Sequence, residues 1–158
     1  MTLPLAYSRK CTLLFGGQDL GTFTRGDLVN IHAFLDAHLE IGSDTAAAWL
    51  TMTPEDRARV LAVIEAVSEY FCSEAGMELN GRARRIAAGL MSEFAPGATD
   101  EGIAAALRNK PAQVAANRRW LKSVEKDDRW ARVLAILRQW IRAKLEQPGA
   151  PRQAAISR

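Results

Sequence analysis

The chain has 158 residues, of which 48% are hydrophobic, 25% charged and 7% aromatic, and its formal net charge at pH 7 is +3. These values are typical of one globular domain with a real core, and they exclude a collagen-like repeat, a small disulfide scaffold and a chain that is disordered throughout. No segment approaches the roughly 20 uncharged apolar residues of a membrane span. The first ten residues lack the pattern of a signal peptide, so none is predicted there, and the lack of an apolar span predicts no membrane partner.

A short β-hairpin is predicted at the N-terminus, within residues 1–24. Residues 9–15 and 20–24 are β-favouring runs, and Gly16 and Gly17 between them supply the positive φ angles of a tight turn. The alternative is an extended arm, because an isolated hairpin is marginally stable unless it packs on other structure.

Residues 25–146 are predicted to form a single domain, a bundle of about six helices, so the expected fold class is mainly all-α. The predicted helices span about 25–41, 54–75, 81–94, 100–107, 111–124 and 129–146, with an extra turn of helix at 45–50. Pro96 and Gly97 break the pattern, which makes a subdomain joint at 95–98 the alternative to one continuous domain. Residues 147–158 are predicted to be a disordered tail.

The apolar spacing of the first helix predicts which of its faces is buried. One stripe recurs at helical spacing and is expected to face the core: Leu28, Ile31, Phe34, Leu35, His38 and Leu39. Together with Tyr70 and Phe71, the pair Phe34 and Leu35 is expected to build the core and, as a further option, a homodimer surface.

The charges divide sharply along the chain. Residues 1–79 hold five Lys or Arg against eleven Asp or Glu, whereas residues 80–158 hold sixteen against seven. Such an asymmetry predicts an acidic partner for the second half, and nucleic acid is the commonest one. Most of the cations are Arg, which forks onto phosphate or a base edge more specifically than Lys. The alternative is a basic half that pairs with the acidic half or is simply solvated.

Residues 100–121 have the outline of a helix-turn-helix: two short helices, a tight joint, and a second helix that is amphipathic and basic. The predicted packing residues of this unit are Ile103, Ala104, Leu107 and Val114. Arg108 occupies the turn position that Gly commonly fills, so the alternative is a plain helical hairpin with solvated arginines. The helix-turn-helix reading makes DNA a more probable ligand than RNA.

The candidate nucleic-acid-binding residues lie on the predicted helices at 81–94 and 111–124. On the helix at 81–94, three arginines crowd the first turn, where cations oppose the helix dipole, so phosphate contact explains their position better than stability does. On the helix at 111–124, polar and basic side chains are expected to point outward, where Gln and Asn pair with adenine edges and Arg with guanine or phosphate. The full set is Arg82, Arg84, Arg85, Gln113, Asn117, Arg118, Arg119 and Lys122.

Motifs that would indicate catalysis or metal binding are missing from the sequence. Cys11 and Cys72 lie in apolar surroundings and are expected to be reduced core thiols, although a disulfide between them stays open. There is no CxxC motif, and His32 and His38 are poorly placed to share a ligand. A phosphate-binding Gly loop, GxSxG and HExxH are also missing, so we predict no enzyme, no metal and no cofactor.

The sequence therefore predicts a cytoplasmic, non-enzymatic nucleic-acid-binding protein, either a regulator or an accessory factor, that binds through its basic second half. The alternative is a protein-interaction module, such as an adaptor, an inhibitor or a small helical subunit of a larger nucleoprotein complex.

Overall fold

The computed structural model describes residues 11–15, 18–23, 25–71 and 81–146, and within them the chain is mostly helical. The described elements are β1 (Cys11–Phe15), β2 (Gln18–Phe23), α1 (Arg25–His38), α2 (Ser43–Leu50), α3 (Pro54–Phe71), α4 (Gly81–Phe94), α5 (Asp100–Leu107), α6 (Pro111–Val124) and α7 (Asp128–Glu146). The mainly α-helical fold class is thereby confirmed.

Strands β1 and β2 pair in an antiparallel sense, with Cys11 opposite Phe23 and Phe15 opposite Gln18. The predicted turn at residues 16–17 lies outside the described residues, so the choice between hairpin and arm stays a prediction. The same holds for the predicted disordered tail at 147–158 and for the thiol state of the two cysteines.

Capping residues account for the starts of α3 and α5. The hydroxyl oxygen of Thr53 accepts a hydrogen bond from the backbone N–H of Asp56 at 3.1 Å, and that of Thr99 accepts one from Gly102 at 3.1 Å. These contacts satisfy N–H groups that have no partner within the helix. Helix α6 begins instead at Pro111, whose fixed φ suits the first helical position.

One apolar core runs through all seven described helices. Helices α3 and α4 pack against each other near its centre, with α6 against α4 and α7 against α3, while α2 packs between α1 and α5. The largest fully buried side chains are Trp49, Ile64, Ile86, Leu90, Met91, Ile103, Leu134, Leu137, Ile141, Val60, Val63 and Val67. Ala95 and Ala98, at the break between α4 and α5, are also buried in this core.

Helix α1 departs from the prediction in its length and in its buried face. It ends at His38 rather than near Gly42, and the following Glu40 has a positive φ of 60°. Its buried residues are Leu28, Val29 and Ala33. The predicted core stripe is therefore wrong beyond Leu28, because its remaining large members are exposed: Ile31, Phe34, Leu35 and Leu39. His38, which the sequence also places in this core stripe, is exposed as well.

The physical reason is that α1 is apolar on two sides. Leu28, Val29 and Ala33 face the core on the side of α1 that packs against α2, and the large side chains of Ile31, Phe34 and Leu35 lie on the other side. Helical periodicity identifies an apolar stripe, but it does not decide between two such stripes on one helix.

Candidate nucleic-acid interface

The three arginines at the start of α4 differ in their surroundings. Arg82 and Arg85 are exposed, whereas Arg84 is half-buried and its Nε has no hydrogen-bond partner among the described residues. The first turn of α4 contains no acidic residue, so its cations lie at the positive end of the helix dipole without an acidic neighbour in that turn. Neither Arg82 nor Arg85 has an ion pair among the described residues, which makes both of them candidates for contact with an anion.

Two cations of α6 are similarly placed. Arg119 and Lys122 are exposed, and the described part of the chain provides no ion pair to either of them. By helical spacing they lie away from Val114 and Leu121, the buried side of this helix. They occupy the outer surface of α6, as the sequence predicts.

A contact between Arg85 and Trp120 joins the two helices. The guanidinium carbon of Arg85 lies 4.8 Å from the centre of the Trp120 ring, a cation–π distance. Trp120 in turn meets Trp130 edge-on, with 5.1 Å between ring centres. We call Arg82, Arg85, Arg119 and Lys122 the basic face. Sequence reasoning missed its central contact, because no spacing within a helix links residues that are 35 positions apart.

Asn117 is not part of this face. It is only 4% exposed, and its Oδ1 accepts a hydrogen bond from Nε2 of Gln113 at 3.0 Å. The prediction that Asn117 points outward is wrong, because its spacing from Val114 and Leu121 places it on the buried side of α6. Gln113 is exposed as predicted, but its amide is engaged by Asn117.

Arg118 is held by the neighbouring helix α5. Its Nη1 lies 2.7 Å from Oδ1 of Asp100, and both side chains are about 30% exposed or less. Neither this carboxylate oxygen nor Nε of Arg118 makes an aligned hydrogen bond, so the contact is a charge pair at short distance. Arg118 is therefore not the freely outward-pointing residue that the sequence predicts.

Other cations of the second half are engaged within the molecule. Arg138 lies 2.8 Å from Glu93 and 3.5 Å from Glu125, and Arg142 lies 3.7 Å from Glu93. Lys144 pairs with Glu69 of α3 at 2.8 Å, which links the basic half to the acidic half. Pairing of the basic half with the acidic half is thus observed for Lys144, whereas Arg138 and Arg142 pair with acidic residues of the second half itself. The basic face has no ion pair among the described residues.

The joint between α5 and α6 is formed by residues 108–110. Arg108 takes the left-handed conformation, with φ 56° and ψ 52°, and the N–H of Asn109 donates to the carbonyl of Ala104 at 2.9 Å. This is the position and the geometry for which Gly is favoured at a helix end. Nη1 of Arg108 also lies 3.0 Å from the ring nitrogens of His32 on α1.

Replacing Arg108 with glycine is expected to raise the free energy of unfolding by about 1 kcal/mol relative to Arg108→Ala, because only glycine adopts this conformation without a Cβ penalty. Both variants remove the guanidinium and its contact with His32, so the difference between them isolates the backbone. Urea unfolding followed by circular dichroism measures it. Equal stability of the two variants would contradict a strained Arg108.

No group of three or more His, Cys, Asp or Glu suited to a metal ion is found in the described ranges. None of the described helices is both long and apolar enough to span a bilayer. Comparison with protein-family models, with curated proteins and with solved structures finds no match.

Proposed function

We propose that the chain is a non-enzymatic nucleic-acid-binding accessory protein that contacts the phosphate backbone through the basic face. The observation that carries this proposal is the arrangement of Arg82, Arg85, Arg119 and Lys122 on two packed helices, with no ion pair to any of them among the described residues. We expect the ligand to be duplex DNA. We expect the protein to act in the cytoplasm. Cations of this kind supply most of the affinity for nucleic acid through the release of counterions.

The residues that are expected to read bases are not all accessible to a ligand. Asn117 is buried and Arg118 is paired with Asp100, so two of the side chains expected to read bases are engaged inside the molecule. Contacts to phosphate position a protein without specifying sequence. We therefore favour an accessory role along the backbone over a regulator that reads a defined site.

The test is a salt series with duplex DNA, measured by fluorescence anisotropy between about 50 and 200 mM salt. The variant changes Arg82, Arg119 and Lys122 to Gln and leaves Arg85 in its contact with Trp120. We expect the slope of log affinity against log salt to fall in magnitude by about 2 to 3, since each phosphate contact contributes about 0.9.

The matched control removes three cations from α7, by changing Arg129, Arg132 and Arg142 to Gln. The net charge is the same in both variants, and the control residues are exposed, with Arg129 at 93% and Arg142 at 56%. We expect the control to keep most of the wild-type slope. An equal loss in the two variants would show binding that follows net charge alone, and absence of wild-type binding would remove the proposal.

A second candidate is a protein-interaction module without nucleic-acid binding. It is favoured by the internal pairing of Arg118, Arg138 and Lys144, which leaves fewer cations for phosphate than the sequence suggests. Binding of the wild-type protein to duplex DNA in the salt series separates this candidate from the backbone binder. A selection over random duplexes separates both of them from a protein that reads bases. Enrichment of a defined sequence would support a base reader, whereas no enrichment is expected for a backbone binder or for an adaptor.

A further inference from the structure

The outer side of α1 and the turn that follows it carry a cluster of exposed large apolar side chains. Their exposed fractions are 36% for Ile31, 63% for Phe34, 47% for Leu35, 60% for Leu39 and 60% for Ile41. We call these five residues the outer stripe. Ile31, Phe34 and Leu35 follow the i, i+3, i+4 spacing of one helical face, so they form a continuous surface.

A helix that is apolar on both sides is normally buried on both sides. Helix α1 places Val29 and Ala33 against the core and the outer stripe in solvent. The apolar residues of the outer stripe recur at the helical spacing that is typical of a buried face. This favours a second packing surface over scattered exposed residues.

The size of the outer stripe matches the apolar part of a homodimer interface. A large apolar side chain carries roughly 200 Å² of surface, so the five exposed fractions correspond to roughly 500 Å². Homodimer interfaces are about 65% apolar, and a stable interface buries about 800 Å² on each partner. An interface of that size contains about 500 Å² of apolar surface, which is what the stripe provides.

We propose that the outer stripe binds the outer stripe of a second copy of this chain, in a twofold-symmetric dimer. A twofold axis brings the same patch of both copies together, which suits a surface whose centre, formed by Ile31, Phe34 and Leu35, contains no Lys, Arg, Asp or Glu. The exposed imidazole of His38 lies at the end of α1 on the same face. The exposed carboxylates of Glu40 and Asp44 follow α1 near the stripe. Since they carry the same sign in both copies, salt that screens their repulsion is expected to strengthen the dimer. Dimer formation does not depend on nucleic-acid binding.

The test is sedimentation equilibrium of the full chain without nucleic acid, from about 1 to about 100 µM. The wild-type protein is expected to approach twice the 17.3 kDa of one chain. Phe34→Glu introduces a charge at the most exposed position of the stripe and is expected to weaken the dimer at least about a hundredfold. The milder Phe34→Ser is expected to weaken it about tenfold.

The matched control is Ile136→Glu, which places the same charge on an apolar residue of α7 that is 38% exposed. It is expected to keep the wild-type mass, and circular dichroism is expected to show an unchanged fold for all variants. A monomeric wild-type chain over the whole range would overturn the proposal and leave the stripe to a different protein or to another segment of this chain. Equal dissociation by Ile136→Glu, or an undisturbed dimer with Phe34→Glu, would overturn it as well.

Discussion

Replacing Gly89 with alanine is expected to lower the free energy of unfolding by about 2 kcal/mol. An alanine Cβ at this position would lie 2.5 Å from Cδ2 and 2.6 Å from Cβ of Leu121, much closer than carbon atoms approach each other. The clash includes the Cβ of Leu121, which moves only if α6 moves. Alanine is the better helix former by about 1 kcal/mol, so the packing cost has to exceed that gain.

The matched control for this substitution is Gly81→Ala. Gly81 is also a residue of α4, and nothing lies within 4 Å of the position its Cβ would take. We expect this variant to be as stable as the wild type or slightly more stable, because it lacks the clash. Urea unfolding compares the two, and a Gly89→Ala protein of wild-type stability would contradict the close crossing of α4 and α6.

Trp49→Ala is expected to cost about 3 to 5 kcal/mol of stability, the largest effect of any single change considered. Trp49 of α2 is fully buried, and its indole N–H donates to Oδ1 of Asn30 on α1 at 2.8 Å. The substitution removes a large part of the packing between α1, α2 and α5, and it opens a cavity in the core. Trp49→Phe is expected to cost less, because phenylalanine fills most of the volume. It loses the hydrogen bond to Asn30, but the exposed amide of Asn30 forms hydrogen bonds with water instead.

Trp140 provides the matched control for this prediction. It is a tryptophan on α7 with 39% exposure, and it meets Tyr70 edge-on at 5.7 Å. Trp140→Ala is expected to cost clearly less than Trp49→Ala, because Trp140 is 39% exposed and its removal leaves no enclosed cavity, although one aromatic contact is lost. Thermal unfolding measures both variants, and similar costs at the two positions would contradict the burial of Trp49.

The limits of most helices could be predicted because they are set by local chemistry. Thr53 and Thr99 accept hydrogen bonds from the first turns of their helices, and Pro111 cannot continue a preceding one. The predicted inward residues of α4 are also buried, because that helix has a single apolar face: Ala83, Ile86, Ala87, Leu90, Met91 and Phe94.

The errors arise where a side chain's partner is distant in the sequence. The exposed side of α1 depends on which of two apolar faces meets α2, and spacing within α1 contains no information about that choice. The pairing of Arg118 with Asp100 depends on how α6 lies beside α5. The error at Asn117 has a different cause. Polar side chains usually point to water, so Asn117 is predicted to lie on the exposed side of α6, but it is buried.

The contact between Arg85 and Trp120 has a practical consequence for observing the basic face. Indole fluorescence responds to the electric field of a nearby charge, and this guanidinium lies directly over the ring. A phosphate that draws Arg85 away would change the emission of Trp120, whereas Trp49 is enclosed in the core and would keep its spectrum. Trp120 is thus an intrinsic fluorophore at the junction of α4 and α6, and comparing the emission of the wild type with that of a Trp120→Phe variant would separate its signal from those of the other tryptophans.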